Sequence, residues 1–202
     1  SQATSAAVPE GPGTGLPPDP ATVASMVDIS VPADIGSAVR FLYEGPNRIQ
    51  AGVAVGTIED RRVLVLRGIL KDVAGNGLSG ARVELKDREE CGFTITRVDG
   101  AWDIACNGGG QLVVRMTKAG HLTVDRHVEQ SAWRDYVWVG EARMLAVDAT
   151  YTDVLLSSTS SQVVHQATAQ TDVDGTRRAT VIVPAGTTAT MTLPDESTEN
   201  LP

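Results

Sequence analysis

Gly68-Ile-Leu-Lys-Asp-Val-Ala-Gly-Asn-Gly-Leu-Ser-Gly-Ala-Arg-Val-Glu-Leu85, answered by Thr94-Ile-Thr-Arg-Val-Asp-Gly-Ala-Trp-Asp-Ile104, is the stretch on which the fold turns. It reads as a strand, a glycine-rich turn and a second strand, followed by a further hairpin whose turn is Asp99-Gly100. In Ala81-Arg-Val-Glu-Leu85 apolar and charged residues alternate, which puts Val83 and Leu85 on a buried face and Arg82 and Glu84 in water. Asn76-Gly77 and Asp99-Gly100 tolerate positive φ, so each is expected to close a tight reversal between strands. The pattern predicts a small β-sandwich built from hairpins, with no catalytic role.

Composition bounds the rest of the chain. Its 202 residues hold one or two domains, and 42% apolar with 21% charged residues is ordinary for globular protein. Aromatics make up only 4%, so the cores must rest on Val, Leu, Ile and Ala, which suits strand packing. A net charge of −8, with Arg61-Arg62 and Arg177-Arg178 as the adjacent basic pairs, argues against nucleic acid as a partner. No apolar run is long enough to span a bilayer, and Ser1 is not followed by a charged-then-apolar signal, so the start reads as an internal fragment or a processed end.

Four segments follow from the pattern. Residues 1–20, rich in Pro, Gly, Ser and Ala, are expected to be a flexible linker. Residues 21–61 read as irregular, with a short helix around Ala33 to Tyr43, and residues 62–146 as the first sandwich. From Val147 to Pro202 Val, Thr and Ser rise and charge falls, which predicts a second all-β module. Its strands are expected at Ala149 to Ser157, Gln162 to Gln170, Arg178 to Val183 and Thr188 to Leu193.

The residues that suggest chemistry each have a plainer reading. Asp172-Val-Asp-Gly175 begins like a calcium loop but lacks the later oxygen ligands, including a terminal Glu, so it is read as a hairpin turn. His121, His127 and His165 have no spacing suited to zinc. Cys106 precedes Asn107-Gly-Gly-Gly110 with no His at a recognisable spacing, and no nucleophile elbow occurs, so no catalytic residue, metal or cofactor is expected. Cys91 and Cys106 flank Asp99-Gly100 almost symmetrically, which leaves two readings open: a cross-strand disulfide, favouring an oxidising compartment, or two buried free thiols. In Trp133-Arg-Asp-Tyr-Val-Trp-Val139, Tyr136 and Trp138 share a strand face. With Trp133 they are expected to pack in a core or against a neighbouring domain rather than to hold carbohydrate, and they are docking candidates.

Gly68, Asp72, Gly77-Leu-Ser-Gly-Ala81, Thr96, Asp99-Gly100 and Lys118-Ala-Gly-His121 together resemble the carboxypeptidase regulatory-like, or transthyretin-like, module. A longer order includes Phe41-Leu-Tyr-Glu-Gly-Pro-Asn-Arg-Ile-Gln50, Asn107-Gly-Gly-Gly110, Trp133-Arg-Asp-Tyr-Val-Trp138, and Thr171-Asp-Val-Asp-Gly-Thr-Arg-Arg-Ala-Thr180 with Val183 to Met191. This order is similar to the N-terminal part of bacterial RHS/YD-repeat proteins, the teneurin-like shells. The resemblance covers Pro18 to Pro194 and implies an all-β chain of two consecutive immunoglobulin-like or transthyretin-like sandwiches after an irregular start, secreted or at the cell surface. It also implies that residues 147–202 begin a fibronectin-plug-like module that seals a hollow YD-repeat barrel around a cargo or toxin. The partner would then be the rest of the protein's own shell, met in part through Met191. The other reading is an extracellular adhesive module that binds other surface proteins through loops and strand edges. No YD repeat or toxin lies in these residues, and the resemblance does not account for Cys91 and Cys106.

Overall fold

The computed structural model describes residues 15–26, 30, 32, 34–129, 131–156 and 161–201, so 1–14 of the expected linker, Ala33 and Ser157 lie outside it. The chain divides after Ala146 into two units, each taken here by itself.

Two facing sheets make the first unit. In one, β1 (Gln50–Ala51), β4 (Phe93–Ile95), β3 (Arg82–Leu85), β6 (Leu112–Thr117) and β7 (Val124–Val128) lie in that spatial order, with every pair antiparallel. In the other, β5 (Ala101–Asn107), β2 (Val63–Lys71) and β8 (Asp135–Arg143) lie in order, with β2 antiparallel to β5 and parallel to β8. Val83 and Leu85 turn inward as their alternation requires, while Arg82 and Glu84 pair outside at 2.7 Å. The inward side chains of both sheets, among them Leu64, Leu66, Leu70, Trp102, Ile104, Val114 and Met116, form one core. Each fully buried Leu, Ile or Met contributes about 1.5–3 kcal/mol relative to an exposed one.

The expected hairpins are corrected by this topology. The chain does reverse at Asn76-Gly77 and Asp99-Gly100, but β2 and β3 belong to opposite sheets, and so do β4 and β5. Both turns carry the chain across the sandwich, and they meet at one end. Leu70 N–H donates to Gly100 O at 2.9 Å and Leu78 N–H to Leu70 O at 2.8 Å. Gly100, at φ +79°, sits so close that a Cβ there would stand 2.1 Å from Leu70 O. Turn chemistry specifies a reversal, not the sheet that receives the next strand.

Topology also removes the ladder on which a cross-strand disulfide depended. Cys91 ends a 3₁₀ turn, Glu89–Cys91, ahead of β4, while Cys106 lies on β5 in the opposite sheet. Both are buried free thiols.

Residues 21–61 are more than an irregular prelude. The helix expected around Ala33 to Tyr43 is a short α2 (Ile35–Val39) running into a 3₁₀ turn, Arg40–Leu42. Before it comes α1 (Pro20–Val23), capped by the Asp19 carboxylate, which accepts the Ala21 N–H at 2.9 Å. Val39, Leu42, Tyr43, Ile49 and Ile58 cover Val63, Val65 and Ala105 on the outer face of the three-stranded sheet, making a second core. That cover explains why β2 begins as an unbroken apolar run: its first turns are buried on both faces.

In the second unit the strands pair two by two. β9 (Val163–Gln166) pairs with β12 (Thr180–Val183), β10 (Gln170–Asp172) with β11 (Gly175–Arg177), and β13 (Thr190–Thr192) with β14 (Thr198–Asn200). The strand expected over Ala149 to Ser157 does not form in its described part, residues 149–156. That expected over Gln162 to Gln170 is broken after Gln166, where Ala167 N–H bonds to Ala179 O and the chain turns away into β10. Asp172 to Gly175 is the hairpin turn that was expected.

Candidate interaction surface

Strand β8 decides where the few aromatic side chains go. It pairs with β2 only, so it forms an edge of its sheet. Tyr136 stands opposite Val65 and Trp138 opposite Arg67, both outward positions of β2, while Val137 and Val139 pack on the core. The register then slips between Arg67 and Gly68, where Gly140 adopts φ +97°. This bulge inserts one residue and restores the inward position for Ala142, which is buried. Tyr136, Trp138 and Glu141 therefore share the outer face although their spacing breaks strict alternation.

Of the two placements expected for these aromatics, a core or a neighbouring domain, the first unit's core does not take them. Trp133, Tyr136 and Trp138 are 59%, 48% and 58% exposed, whereas Val63, Val65 and Ala105 on the same outer face are buried beneath the N-terminal segment. Two of the three rings lie beside cations. The Arg62 guanidinium lies 5.8 Å from the Trp133 ring centroid and that of Arg67 lies 5.8 Å from Tyr136. Partial burial raises the Tyr136 hydroxyl above its ordinary 10.0, with Arg67 pulling the other way.

Beneath Tyr136 lies a cluster the sequence reading did not single out. Asp103 is 2% exposed on β5, and its Oδ1 accepts from Arg67 Nε at 2.8 Å while its Oδ2 accepts from Arg97 Nη1 at 2.8 Å. One buried carboxylate thus fixes two guanidiniums and, through Arg67, the ring of Tyr136. The available signal was a lone acid inside the apolar run Ala101-Trp-Asp-Ile-Ala-Cys106.

The remaining candidates are scattered. His121 Nδ1 is 3.0 Å from Ala119 O, His127 is exposed on β7, and His165 Nδ1 is 2.9 Å from Thr152 Oγ1 in the second unit. Among the described residues no group of three or more His, Cys, Asp or Glu stands together as metal ligands would. Burial pushes both cysteine thiols up, Cys106 strongly, which leaves them poor nucleophiles. Met191 is 42% exposed on β13, opposite Glu199 in the second unit. Among the described residues no helix is long and apolar enough to cross a membrane.

The first unit is a two-sheet sandwich whose exposed edge carries three aromatic side chains, two of them beside arginines. The family described as Teneurin TTR-like domain matches residues 58–144, and that part of the chain is a teneurin-like, transthyretin-like domain. Among curated relatives the chain is 31% identical to Teneurin-m of Drosophila melanogaster over 130 residues, 61% of this chain and 5% of that protein. It is 30% identical to Teneurin-3 of Danio rerio over 117 residues, 55% of this chain and 4% of that protein. It is 29% identical to Teneurin-1 of Mus musculus over 100 residues, 48% of this chain and 4% of that protein. The match spans 5% or less of each of these relatives.

Proposed function

We propose that this chain is a non-catalytic structural part of a secreted or cell-surface RHS/YD-repeat protein of the bacterial kind, in which it docks on and helps to close a hollow β-shell around a cargo. The observation that carries this reading is the aromatic edge: Trp133, Tyr136 and Trp138 lie exposed on one border of an otherwise well-buried sandwich. Large, rigid aromatic surfaces are the usual anchors of protein interfaces. The second unit supports the same reading, since Val164, Ile182 and Met191 stay exposed on its strands and would lose water contact against another surface. The teneurin-like domain supplies the family context.

The test is made in the full-length protein. Tyr136→Ser with Trp138→Ser, and separately Met191→Asp, are compared with wild type for release of the module on limited proteolysis and for protection of the shell interior. Docking on the shell predicts earlier release and loss of protection with the first core still folded. A shell that stays closed while binding to a second cell-surface protein is lost identifies the chain as an adhesive module instead.

A further inference from the structure

Two buried thiols stand in one core with no role in the docking surface. Cys91 and Cys106 both belong to the cluster between the sheets. They come from opposite sides, Cys91 from the turn that leads into β4 and Cys106 from the far end of β5. A single side chain ties their backbones together. The fully buried Gln50 amide donates through Nε2 to Cys91 O at 2.6 Å and to Ala105 O at 2.8 Å, and its Oε1 accepts the Ala105 N–H at 2.7 Å. Gln50 thus ties the Cys91 carbonyl to the backbone of Ala105, the residue before Cys106, and no further metal-ligating groups gather there among the described residues.

We infer that Cys91 and Cys106 are the two halves of a latent disulfide that staples the two sheets at the end of β5 away from the Asp99-Gly100 crossing, and that it closes by exchange with a small-molecule disulfide such as oxidised glutathione. The Cys91 thiol loses its proton to solvent and its sulfur attacks one glutathione sulfur, breaking that S–S bond and releasing glutathione thiolate. The Cys106 thiol loses its proton to solvent in turn, its thiolate attacks the mixed disulfide at the Cys91 sulfur and releases the second glutathione thiolate, and both glutathione thiolates take up protons from solvent. Two protein thiols are oxidised by two electrons and one glutathione disulfide is reduced to two thiols. Cys91 is the entry sulfur because Cys106 is the more deeply buried and the harder to ionise. Since burial disfavours both thiolates, closure belongs to the assembly of the core rather than to the finished fold. The inference is independent of the docking reading.

The test is refolding of the fully reduced chain in a mixture of oxidised and reduced glutathione, followed by denaturation with a maleimide and mass measurement. The expected product carries no maleimide, is lighter than the reduced chain by two hydrogens, and yields one proteolytic fragment pair linking Cys91 to Cys106. Its thermal midpoint should lie at least about 5 °C above that of the same sample after reduction. In the Cys91→Ala, Cys106→Val double variant the reductant should produce no shift, and if that variant does not fold the wild-type comparison stands alone. Two maleimide adducts per chain, retained glutathione, crosslinks between chains, or an intramolecular bond that does not raise the midpoint would each overturn the inference.

Discussion

The two units use the same strand-forming residues and reach opposite ends of the burial scale. In the first, the alternating apolar residues of β3 meet those of β2 and β5 across the sandwich, and Val83, Leu66 and Ile104 lose all contact with water. In the second, Thr180-Val-Ile-Val183 is as strongly β-forming, yet it meets only β9, and no described residue from 147 onward is buried. The difference lies in the layer opposite rather than in the strands. A two-stranded ribbon has no facing sheet to exclude water, so its alternation has nothing to act on, and isolated ribbons are marginal in water.

Four perturbations test that contrast, taken from the strongest. Trp102→Ala removes the largest fully buried side chain from the first core and should cost about 3–5 kcal/mol of that unit's stability. Urea unfolding followed by NMR should show the signals of the first unit lost at lower urea than in wild type while the midpoint of β9 and β12 is unchanged; a matching shift in both would mean that the units fold as one. Gln50→Leu should cost about 2–3 kcal/mol in the same assay, because it strands the buried Cys91 carbonyl and Ala105 N–H without partners.

The third perturbation is acid, and it acts on the second unit. The Asp148 carboxylate accepts from Thr150 N–H at 2.9 Å, Thr168 N–H at 2.7 Å and Thr168 Oγ1 at 2.8 Å. These bonds, that from Thr150 first, pull it from 3.8 down to about 2. A lowered value means that the bonds favour the folded arrangement above the ordinary carboxylate range and that this help is lost as pH falls from about 4 toward about 2. The Thr168 amide signal should titrate with a midpoint near the lower figure, and Asp148→Asn should abolish the step. A midpoint near 3.8 would show that the loop is not closed in solution. The smallest effect belongs to Ile182→Asp, which sits 56% exposed opposite Val164 and should change stability by no more than about 0.5 kcal/mol. A larger loss would mean that a facing layer exists and would erase the contrast.

Much of the first unit was legible in its residues. The inward set of β3, the reversals at Asn76-Gly77 and Asp99-Gly100, and the aromatic face shared by Tyr136 and Trp138 all follow from period and turn chemistry. The routes of the turns were not legible, because a glycine turn bends a hairpin and a sheet crossing alike. The buried Gln50 and the Asp103 cluster were also hidden, since a polar residue is buried only when partners satisfy it, and while Arg97 is 6 residues from Asp103, the other partners are 36 to 55 residues away. Exposure of the aromatic edge depended on β8 having no neighbour beyond β2, a matter of topology rather than pattern.

By itself the sequence determined that this chain is built of strands, which side chains of each strand share a face, where the chain reverses, and that one part is transthyretin-like. Tertiary structure alone decided which sheet each strand joins, which faces find a covering layer, and that Cys91 from the turn before β4 and Cys106 from β5 share one core. The physical reason is that a strand's side-chain period is a local property of extended backbone, whereas its hydrogen-bonding neighbour and its facing layer are supplied by residues far along the chain.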